Sequence, residues 1–557
     1  MSTEAIPFHP IDKVIFAAML AVSAFTGIYH ALANGGQHTT SRYLLADQKM
    51  GGLPVAMSLL VSFMSPITIL GTPAEVYLNG IMYVFLLLAF IWVYPVVAVL
   101  FVPVFHGLDI KSAYEYLGLR FNFPLRMLAS TIFIIQSVFY MAVCLIGPAL
   151  AFEAVQKFEV WKTVVITGVV CTFYTSVGGM KAVIWTDVFQ FMVMLVTVIA
   201  VIVMGSAEAG GMGHVWENNA ENGRLDVLNF SFDPSVRLTL PNLVIGGGFN
   251  YIPVFVSQAA VQRFMTTKSL KESKMDSCTG PPSQLYLMLT CFFSGYNITP
   301  EGDTIPHYGP EYTSPDQILV YFVSSQFGRI PGVQGLFIAC ISAGTLSSVS
   351  SCLSALIAVT LEDFIKPFRR WRSRRRGQRL QEDDTKDTLI SKCLTCMYGA
   401  AGIGLAFIAS YIGTFVTMGN TIFGTTGGPM LGAFGLGMLY KRANGIGVFI
   451  GTLLGFTIGL WVAIGNIIYR DIIDEVSPIY KLSFMWYSVF SVVITTVVGI
   501  TSSEILRLIF PKERLNAIDP KLLATCLRPR GWQTIQNDDG EKELEAVESE
   551  DVETTRL

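Results

Sequence analysis

The chain has 557 residues, of which 52% are hydrophobic and 14% charged, and its formal net charge is −3. With a mean hydropathy of +0.52 it is too apolar for a soluble protein, because a soluble chain of this length needs far more surface charge. An all-α polytopic membrane protein is therefore predicted. The six histidines are isolated, and no HExxH, GxSxG or Walker pattern occurs. We expect neither an enzyme nor a cofactor, and no nucleic-acid partner.

Apolar runs along the chain predict about 13 transmembrane helices in a lipid bilayer. They lie at residues 11–33, 52–78, 81–105, 124–152, 160–177, 182–205, 240–258, 283–296, 316–358, 392–413, 418–440, 444–467 and 482–509. The basic run KPFRRWRSRRRGQR at 366–379 is expected on the cytoplasmic side. Counting spans from it predicts an extracellular N-terminus and a cytoplasmic C-terminus.

The first predicted break in a span lies in the segment SLLVSFMSPITILGTPAEVYLNG, where Ser62, Ser65 and Thr68 surround Pro66. Proline inside a helix removes an amide donor and frees backbone carbonyls. At membrane depth such carbonyls persist only around a cavity or a bound ion. A broken helix at a substrate or sodium site is predicted, with a simple proline kink as the alternative.

An acidic residue, Asp187, lies a few residues into the span KAVIWTDVFQFMVMLVTVIAV, with Gln190 on the same helix face. An ionisable residue in a membrane helix is by default a functional candidate that faces a cavity, a partner or an ion. The alternative is a carboxylate at the membrane interface that pairs with Lys181.

The second predicted break lies in LVIGGGFNYIPVFVSQAAVQRF, where Gly246–Gly248 and Pro253 interrupt one span and Asn250 lies between them. Two interrupted helices are the best sequence indication of a transporter site. Their spacing suits an inverted repeat of five helices, the first at about 51–205 and the second at about 240–440.

The loops carry two further signals. The sequons at Asn229 and Asn297 fall in predicted extracellular loops and are expected to be glycosylated. The stretch 271–297 has only a short apolar part after a tandem proline, whereas a crossing helix needs about 20 residues. The topology nevertheless requires a span there.

Hydroxyl groups are concentrated in the apolar span ISAGTLSSVSSCLSALIAV at 341–359. Gly344, Ser347, Ser348 and Ser351 share one helix face, which cannot favourably point into hydrocarbon. Two interpretations remain open: close helix packing by small residues, and a binding site for a hard cation such as sodium.

The transmembrane domain is predicted to cover 1–510, followed by a cytoplasmic acidic tail at 511–557. The tail is polar and almost free of aromatic residues, so we expect it to be disordered. Its last residues, Thr555, Arg556 and Leu557, have the pattern captured by PDZ domains, and a tail end without a partner is the alternative.

Four separated blocks resemble the sodium/solute symporter family, most of all its monocarboxylate, multivitamin and iodide branch. They are SFMSPITILGTPAEVY (62–77), GGMKAVIWTDVFQ (178–190), SQAAVQRF (257–264) and SAGTLSSVSSCLSALIAVTLEDFIKP (342–367). The resemblance covers about 11–510 and implies a LeuT-like inverted five-helix repeat with extra helices.

The resemblance also implies a site, carried over by position. One sodium ion would bind the carbonyls of Val61, Met64 and Gly344 and the hydroxyls of Ser347 and Ser348. A further sodium ion would bind Ser62, Asp187, Gln190 and Gln258, and the substrate pocket would lie near Phe63, Thr68 and Asn250. Ser350, Ser351 and Ser354 would be packing residues.

The implied function is a sodium-coupled symporter that imports a small organic anion, a monocarboxylate or a vitamin-like acid, by alternating access. Sodium would be the coupling ion. Two alternatives stay open: a non-transporting sensor or leak homologue of the same fold, and a proton-coupled carrier that uses Asp187.

Overall fold

The computed structural model describes residues 8–32, 39–48, 50–108, 110–208, 210–221, 228–267, 314–376, 384–409, 413–469, 477–509 and 519–528, with a few isolated positions and two short strands besides. The α-helices in these ranges are α1 Pro10–Leu32, α2 Thr40–Leu45, α3 Gly52–Phe63, α4 Thr72–Asn79, α5 Leu86–Val96, α6 Val102–Leu108, α7 Glu115–Arg120, α8 Phe123–Gln156, α9 Val160–Glu208, α10 Met212–Glu221, α11 Gly247–Val256, α12 Gln258–Phe264, α13 Ile318–Phe327, α14 Val333–Val359, α15 Lys366–Arg375, α16 Asp384–Ala409, α17 Phe415–Leu439, α18 Gly445–Ile468 and α19 Tyr487–Ile509.

Shorter elements connect these helices. Wider helical turns of the π type occur at Ile67–Gly71, Val97–Phe101, Asn242–Gly246 and Thr360–Ile365, and 3₁₀ turns at Ala46–Gln48, Ile81–Phe85, Pro315–Gln317, Pro478–Lys481, Phe484–Trp486, Pro520–Leu522 and Thr525–Leu527. The strands Ile535–Gln536 and Lys542–Glu543 pair antiparallel, with Ile535 opposite Glu543. The predicted all-α membrane class is confirmed.

The number of membrane spans is close to the prediction. Nine helices within the described ranges are long and apolar enough to cross, or eleven with two bent helix pairs counted as one span each. The 49 residues of α9 would extend ~74 Å, more than twice the ~30 Å hydrocarbon core, and Gly179 (φ 62°, ψ −167°) divides this helix. The predicted run 283–296 lies outside the described residues, so 13 spans stay a prediction.

The predicted run 316–358 is not one helix. It divides into α13 and α14, separated by Gly332 with φ 98°. The side chain of Asp12, near the start of α1, accepts hydrogen bonds from the amides of Gly332 and Gly335, both at 2.9 Å. These contacts hold the first turn of α14 against the N-terminal helix.

The serine-bearing helix α14 lies at the centre of the molecule. It packs against α1, α3, α8, α9 and α16, and its side chains from Phe337 to Val359 are buried. Its small residues allow this close packing, since helices in lipid associate through small side chains and hydrogen bonds. The hydroxyls of α14 therefore face other helices and not lipid.

Part of the tail that was expected to be disordered contacts the helices. Residues 519–528 dock at one end of the molecule, where Tyr116 donates its hydroxyl to the carbonyl of Leu522 at 3.0 Å. The amide of Ala524 donates to the carbonyl of Met438 at 3.1 Å. Leu522 and Ala524 are buried there, which an acidic composition averaged over the whole tail does not reveal.

Candidate functional site

The first bent pair consists of Gly52–Phe63 and Ile67–Asn79, whose axes deviate from a straight line by 57°. The predicted break at Pro66 is confirmed. Met64 leaves the helical region (φ −87°, ψ 66°), and the hydroxyl of Ser65 accepts from the amide of Ile67 at 3.2 Å, which starts the next turn.

The second bent pair consists of Asn242–Val256 and Gln258–Phe264, whose axes deviate from a straight line by 56°. The predicted position of this break, at Gly246–Gly248 and Pro253, is wrong: the chain bends at Ser257 (φ −65°, ψ 161°). Because Pro253 has no amide hydrogen, it cannot donate to the carbonyl of Phe249 one turn earlier. The hydroxyl of Ser488 donates to that carbonyl instead, at 2.7 Å, and the helix continues through Pro253.

The glycines of the second pair serve close packing instead. A Cβ atom on Gly246 would lie 2.7 Å from the carbonyl oxygen of Met485, and one on Gly248 would lie 1.9 Å from the ring of Trp92. Only a residue without a side chain fits at either position.

Three residues of the first predicted sodium set, Met64, Gly344 and Ser348, lie where the break of the first pair meets α14. A Cβ atom on Gly344 would lie 2.8 Å from the carbonyl oxygen of Met64. The hydroxyl of Ser348 donates to the carbonyl of Ser62 at 3.3 Å, and the carbonyl of Val61 accepts from the amide of Met64 at 3.0 Å. Backbone and hydroxyl oxygens thus converge where the first helix is broken.

The carboxylate of Asp187 is paired with Arg263 and not with Lys181, so the interfacial alternative is wrong. Arg263 Nη2 lies 3.2 Å from Asp187 Oδ2, and the two side chains are only 1% and 0% exposed. The hydroxyl of Ser58 donates to the same oxygen. A buried ion pair is stable only when further hydrogen bonds satisfy both partners, which is the case here for this oxygen.

The guanidinium of Arg263 connects α3, α9, α12 and α14. Its Nε donates to the hydroxyl of Ser58 at 2.9 Å, its Nη1 to the carbonyl of Ala259 at 2.8 Å and its Nη2 to the hydroxyl of Ser351 at 2.6 Å. The hydroxyls of Ser351 and Ser62 share a hydrogen bond of 2.9 Å. Ser351, expected to be a packing residue, also donates to the carbonyl of Ser347 at 2.6 Å and so links the two predicted sodium sets.

Three buried oxygens of the predicted sodium residues form no hydrogen bond of good geometry with the described part of the chain: Asp187 Oδ1, Gln190 Oε1 and Ser347 Oγ. The Ser347 hydroxyl nevertheless lies within reach of the Asp187 carboxylate, so a weak side-chain hydrogen bond joins these two groups. Buried acceptors without a donor are costly, and a hard cation satisfies such oxygens. This donor set fits a sodium ion.

Gln258, also predicted to bind sodium, is engaged elsewhere. Its Oε1 accepts from the amide of Ala113 at 2.6 Å, and its Nε2 donates to the carbonyl of Lys111 at 2.9 Å. Both ends of the amide therefore hold the loop that follows α6.

A small cavity of about 40 Å³ lies between the two bent pairs and α8. It is lined by Ser62, Phe63, Phe133, Gln136, Ser137, Tyr140, Val254, Ser257, Ala259, Ser348, Ser351, Cys352 and Phe423. Hydroxyl and amide groups provide most of its polar lining. Of the three predicted substrate residues, only Phe63 lines this cavity.

The other two predicted substrate residues make local contacts. Thr68 donates its hydroxyl to the carbonyl of Phe63 at 3.4 Å, and Asn250 donates from Nδ2 to Oδ1 of Asn420 at 2.8 Å. The Oδ1 atom of Asn250 is buried without a described partner.

Residues that the sequence analysis did not assign to the site are Ser58, Arg263, Gln136, Ser137 and Tyr140. Arg263 had a usable signal, because a cation within the apolar stretch QAAVQRF is itself a functional candidate. Ser58 lies one turn before Ser62 on the same face. The residues from α8 carry no distinctive pattern.

The remaining predicted sites lie at the surface or outside the described residues. Asn229 is exposed, and its side-chain oxygen accepts from the amide of Ser231 at 2.9 Å. The second sequon, Asn297, and the terminal Thr555, Arg556 and Leu557 lie outside the described residues, as does most of the stretch 271–297.

The profile of the sodium:solute symporter family matches residues 43–455. The human sodium-coupled monocarboxylate transporter 1 is 40% identical over 477 residues, covering 84% of this chain and 76% of its own. The sodium-dependent multivitamin transporter of Oryctolagus cuniculus is 36% identical, covering 94% of this chain and 87% of its own.

Two solved structures share the fold. A sodium-coupled sialic acid symporter in a substrate-bound outward-open state has a TM-score of 0.75 at 23% identity, covering 89% of this chain and 98% of its own. A nucleobase-cation-symport-1 family transporter in a closed conformation has a TM-score of 0.52 at 12% identity, covering 86% of this chain and 96% of its own. The predicted LeuT-like fold is confirmed.

The matched family profile, the relatives and the membrane fold agree with the oxygen-lined break in the first bent pair. The chain therefore belongs to the sodium:solute symporter family, as a multi-pass membrane transporter that couples a solute to sodium and not as an enzyme.

Proposed function

We propose that the protein imports a small organic anion, a monocarboxylate or a vitamin-like acid, together with sodium by alternating access. The observation that carries the proposal is the set of buried oxygens on Asp187, Gln190 and Ser347 that form no hydrogen bond of good geometry with the described residues. The names of the relatives, which refer to monocarboxylates and multivitamins, support the substrate class.

Sodium would bind where the first bent pair meets α14. Cation binding between the carbonyl of Met64 and the hydroxyls of Ser347 and Ser348 would fix the angle between α3 and α4. Because that break also borders the cavity through Ser62 and Phe63, filling the sodium site would favour the cavity shape that binds substrate. This is a thermodynamic coupling between two adjacent sites.

The cavity suits a carboxylate that arrives with a cation. No charged side chain of the described residues lines it, whereas Gln136, Ser137, Tyr140 and Ser257 offer neutral donors. The adjacent sodium would supply the positive charge that the lining lacks. With two sodium ions per monoanion, one net charge would cross, and the membrane potential would contribute about 2.3 kcal/mol per 100 mV.

We further propose the plasma membrane as location, with an extracellular N-terminus and a cytoplasmic C-terminus. The basic helix α15 supports this orientation through the preference of such clusters for the cytoplasm. In this orientation Asn229 and Asn297 would be extracellular, where they can be glycosylated. The C-terminal residues Thr555–Leu557 would be cytoplasmic, where a PDZ domain can bind them.

The test is labelled uptake of a panel of anions, including lactate, nicotinate, biotin and pantothenate, with sodium or with choline in its place. We expect sodium-dependent uptake of at least one anion, and at least a tenfold loss in Asp187→Asn at equal surface expression. Asp233→Asn, which changes an exposed loop carboxylate, is the matched control and should behave as the parent protein.

Two results would overturn the proposal. Surface protein without uptake of any panel member would favour the non-transporting homologue. Uptake that persists in choline and follows the pH gradient would favour the proton-coupled carrier.

A further inference from the structure

The helix α15 continues the central serine helix α14 through the turn Thr360–Ile365. Between 366 and 376 the sequence KPFRRWRSRRR contains only basic charges. The side chains of Arg370, Arg372 and Arg374–Arg376 are exposed. A rigid, strongly cationic helix therefore projects from the end of α14.

The base of this helix is fixed by carboxylates. Lys366 Nζ lies 2.6 Å from Glu362 Oε1, and Arg369 pairs with Asp387 at the start of α16. In contrast, Arg372, Arg374 and Arg375 make no ion pair with any carboxylate that the structure describes. The charges near the base hold the helix in place, and those further out remain available to an anion.

One face of the helix is also aromatic. Phe368 and Trp371 are 59% and 49% exposed and stack with 5.7 Å between ring centroids. The guanidinium of Arg375 lies 4.2 Å from the ring centroid of Trp371. Exposed aromatic rings beside arginine are typical of the boundary between headgroups and hydrocarbon.

The neighbouring helix α16 fixes the depth of this cluster. Asp387, the partner of Arg369, is followed two residues later by Leu389, which is 62% exposed, and further along by the exposed Met397. Two residues of helix rise only ~3 Å. An exposed apolar surface of α16 thus begins near the level of Arg369, and we infer from it that the outer arginines of α15 reach the depth of lipid headgroups.

We propose that α15, with Arg372, Arg374, Arg375, Phe368 and Trp371, is a binding site for an anionic phospholipid of the cytoplasmic leaflet, with a polyphosphorylated inositol headgroup as its ligand. Several guanidiniums on one short helix match a headgroup with several phosphates. The aromatic rings would insert beside the acyl chains. The choice of leaflet rests on the proposed orientation, but the binding itself does not.

Binding is measured on the purified full-length protein in neutral detergent micelles, by anisotropy of a fluorescent short-chain phosphatidylinositol 4,5-bisphosphate. The triple variant Arg372→Gln/Arg374→Gln/Arg375→Gln should raise the dissociation constant at least tenfold. The matched control Lys441→Gln/Arg442→Gln/Arg507→Gln removes three exposed charges elsewhere and should change it less than twofold. All substituted side chains are exposed, and elution as a single species verifies folding.

Competition separates the possible sources of the phosphate. Unlabelled phosphatidylinositol 4,5-bisphosphate should displace the probe, whereas phosphatidylserine at equal charge and free inositol trisphosphate should compete at least tenfold less well. Phe368→Ala/Trp371→Ala should weaken binding of the lipid but not that of the free headgroup. Equal losses in both triple variants, or equal competition by the free headgroup, would overturn the proposal.

Discussion

The two bent helix pairs have nearly the same angle, 57° and 56°, but they contribute opposite chemistry to the site. The first pair bends over the three residues Met64–Pro66 and presents oxygen atoms, from backbone carbonyls and serine hydroxyls. The second pair bends at the single residue Ser257 and contributes the cation of Arg263, while its Gln258 holds the loop that follows α6. Equal geometry in the two halves of a chain therefore does not imply equal ligands.

The outer ends of the two regions are joined directly. Arg237, in the segment that leads into the second pair, forms a bidentate ion pair with Glu75 of the first pair, at 2.8 and 2.7 Å, and contacts Thr417 at 3.1 Å. The inner parts are joined by Arg263 and Ser58. Movement of one pair against the other must therefore break or rearrange hydrogen-bonded charges at two levels.

The largest effect is expected from removing the cation of the second pair. Arg263→Ala would leave Asp187 buried without its charged partner, which costs about 3–5 kcal/mol in the free energy of unfolding. Denaturant unfolding of the purified protein and surface biotinylation measure the loss. Asp187→Asn/Arg263→Gln removes both charges and should restore most of the stability; an unchanged Arg263→Ala protein would contradict the assigned role.

A smaller loss of stability is expected when Gln258 of the second pair is replaced. Gln258→Leu would leave the amide of Ala113 and the carbonyl of Lys111 without their partner, at a cost of about 1–3 kcal/mol. We expect the sodium concentration for half-maximal uptake to stay unchanged. Gln334→Leu, distant from both bends, is the control. A marked rise in the sodium requirement would instead identify Gln258 as a sodium ligand, as its family position implies.

The oxygen atoms of the first pair are tested through their partners on α14. Ser347→Ala and Ser348→Ala should each raise the half-maximal sodium concentration about tenfold, equivalent to ~1.4 kcal/mol of binding free energy. Ser354→Ala, on the same helix and also buried, should leave it unchanged. An equal effect of all three substitutions on sodium-titrated uptake would show general damage to helix packing and not loss of a ligand.

The smallest expected effect is a pH dependence of the free energy of unfolding that arises from Asp316, near Glu75 at the outer end of the first pair. Burial raises the pKa of Asp316 from 3.8 to about 7; the nearby charge of Glu75 acts in the same direction, and the amide of Phe415 opposes it through a hydrogen bond of 3.1 Å. Between about pH 4 and pH 7 the carboxyl group of Asp316 is therefore protonated in the folded protein but ionised in the unfolded chain. The free energy of unfolding should fall by ~1 kcal/mol as the pH rises from 6 to 8.

The pH effect is measured as the difference in unfolding free energy between the parent protein and Asp316→Asn at each pH. The asparagine can still accept the hydrogen bond from Phe415 but cannot titrate. Parallel pH dependence in both proteins would assign the effect to other groups.

Much of the site followed from local sequence. Pro66 between hydroxyl residues predicted the first break because proline acts on the helix that contains it. The serine face of α14 followed from helical spacing alone. The second break was misplaced because its outcome depends on a distant residue: the hydroxyl of Ser488 satisfies the carbonyl that Pro253 leaves free, and no local pattern shows this.

By itself, the sequence determined the membrane class, the all-helical fold, the family and the chemical types at the site, because hydropathy, helical periodicity and short motifs are properties of neighbouring residues. Only the tertiary structure decided which oxygens remain unpartnered, because each depends on contacts across the chain. Arg263 meets Asp187 across 76 positions and Ser351 across 88. The ion pair uses Asp187 Oδ2 and leaves Asp187 Oδ1 without a hydrogen bond of good geometry to the described residues, in the position where sodium is proposed to bind.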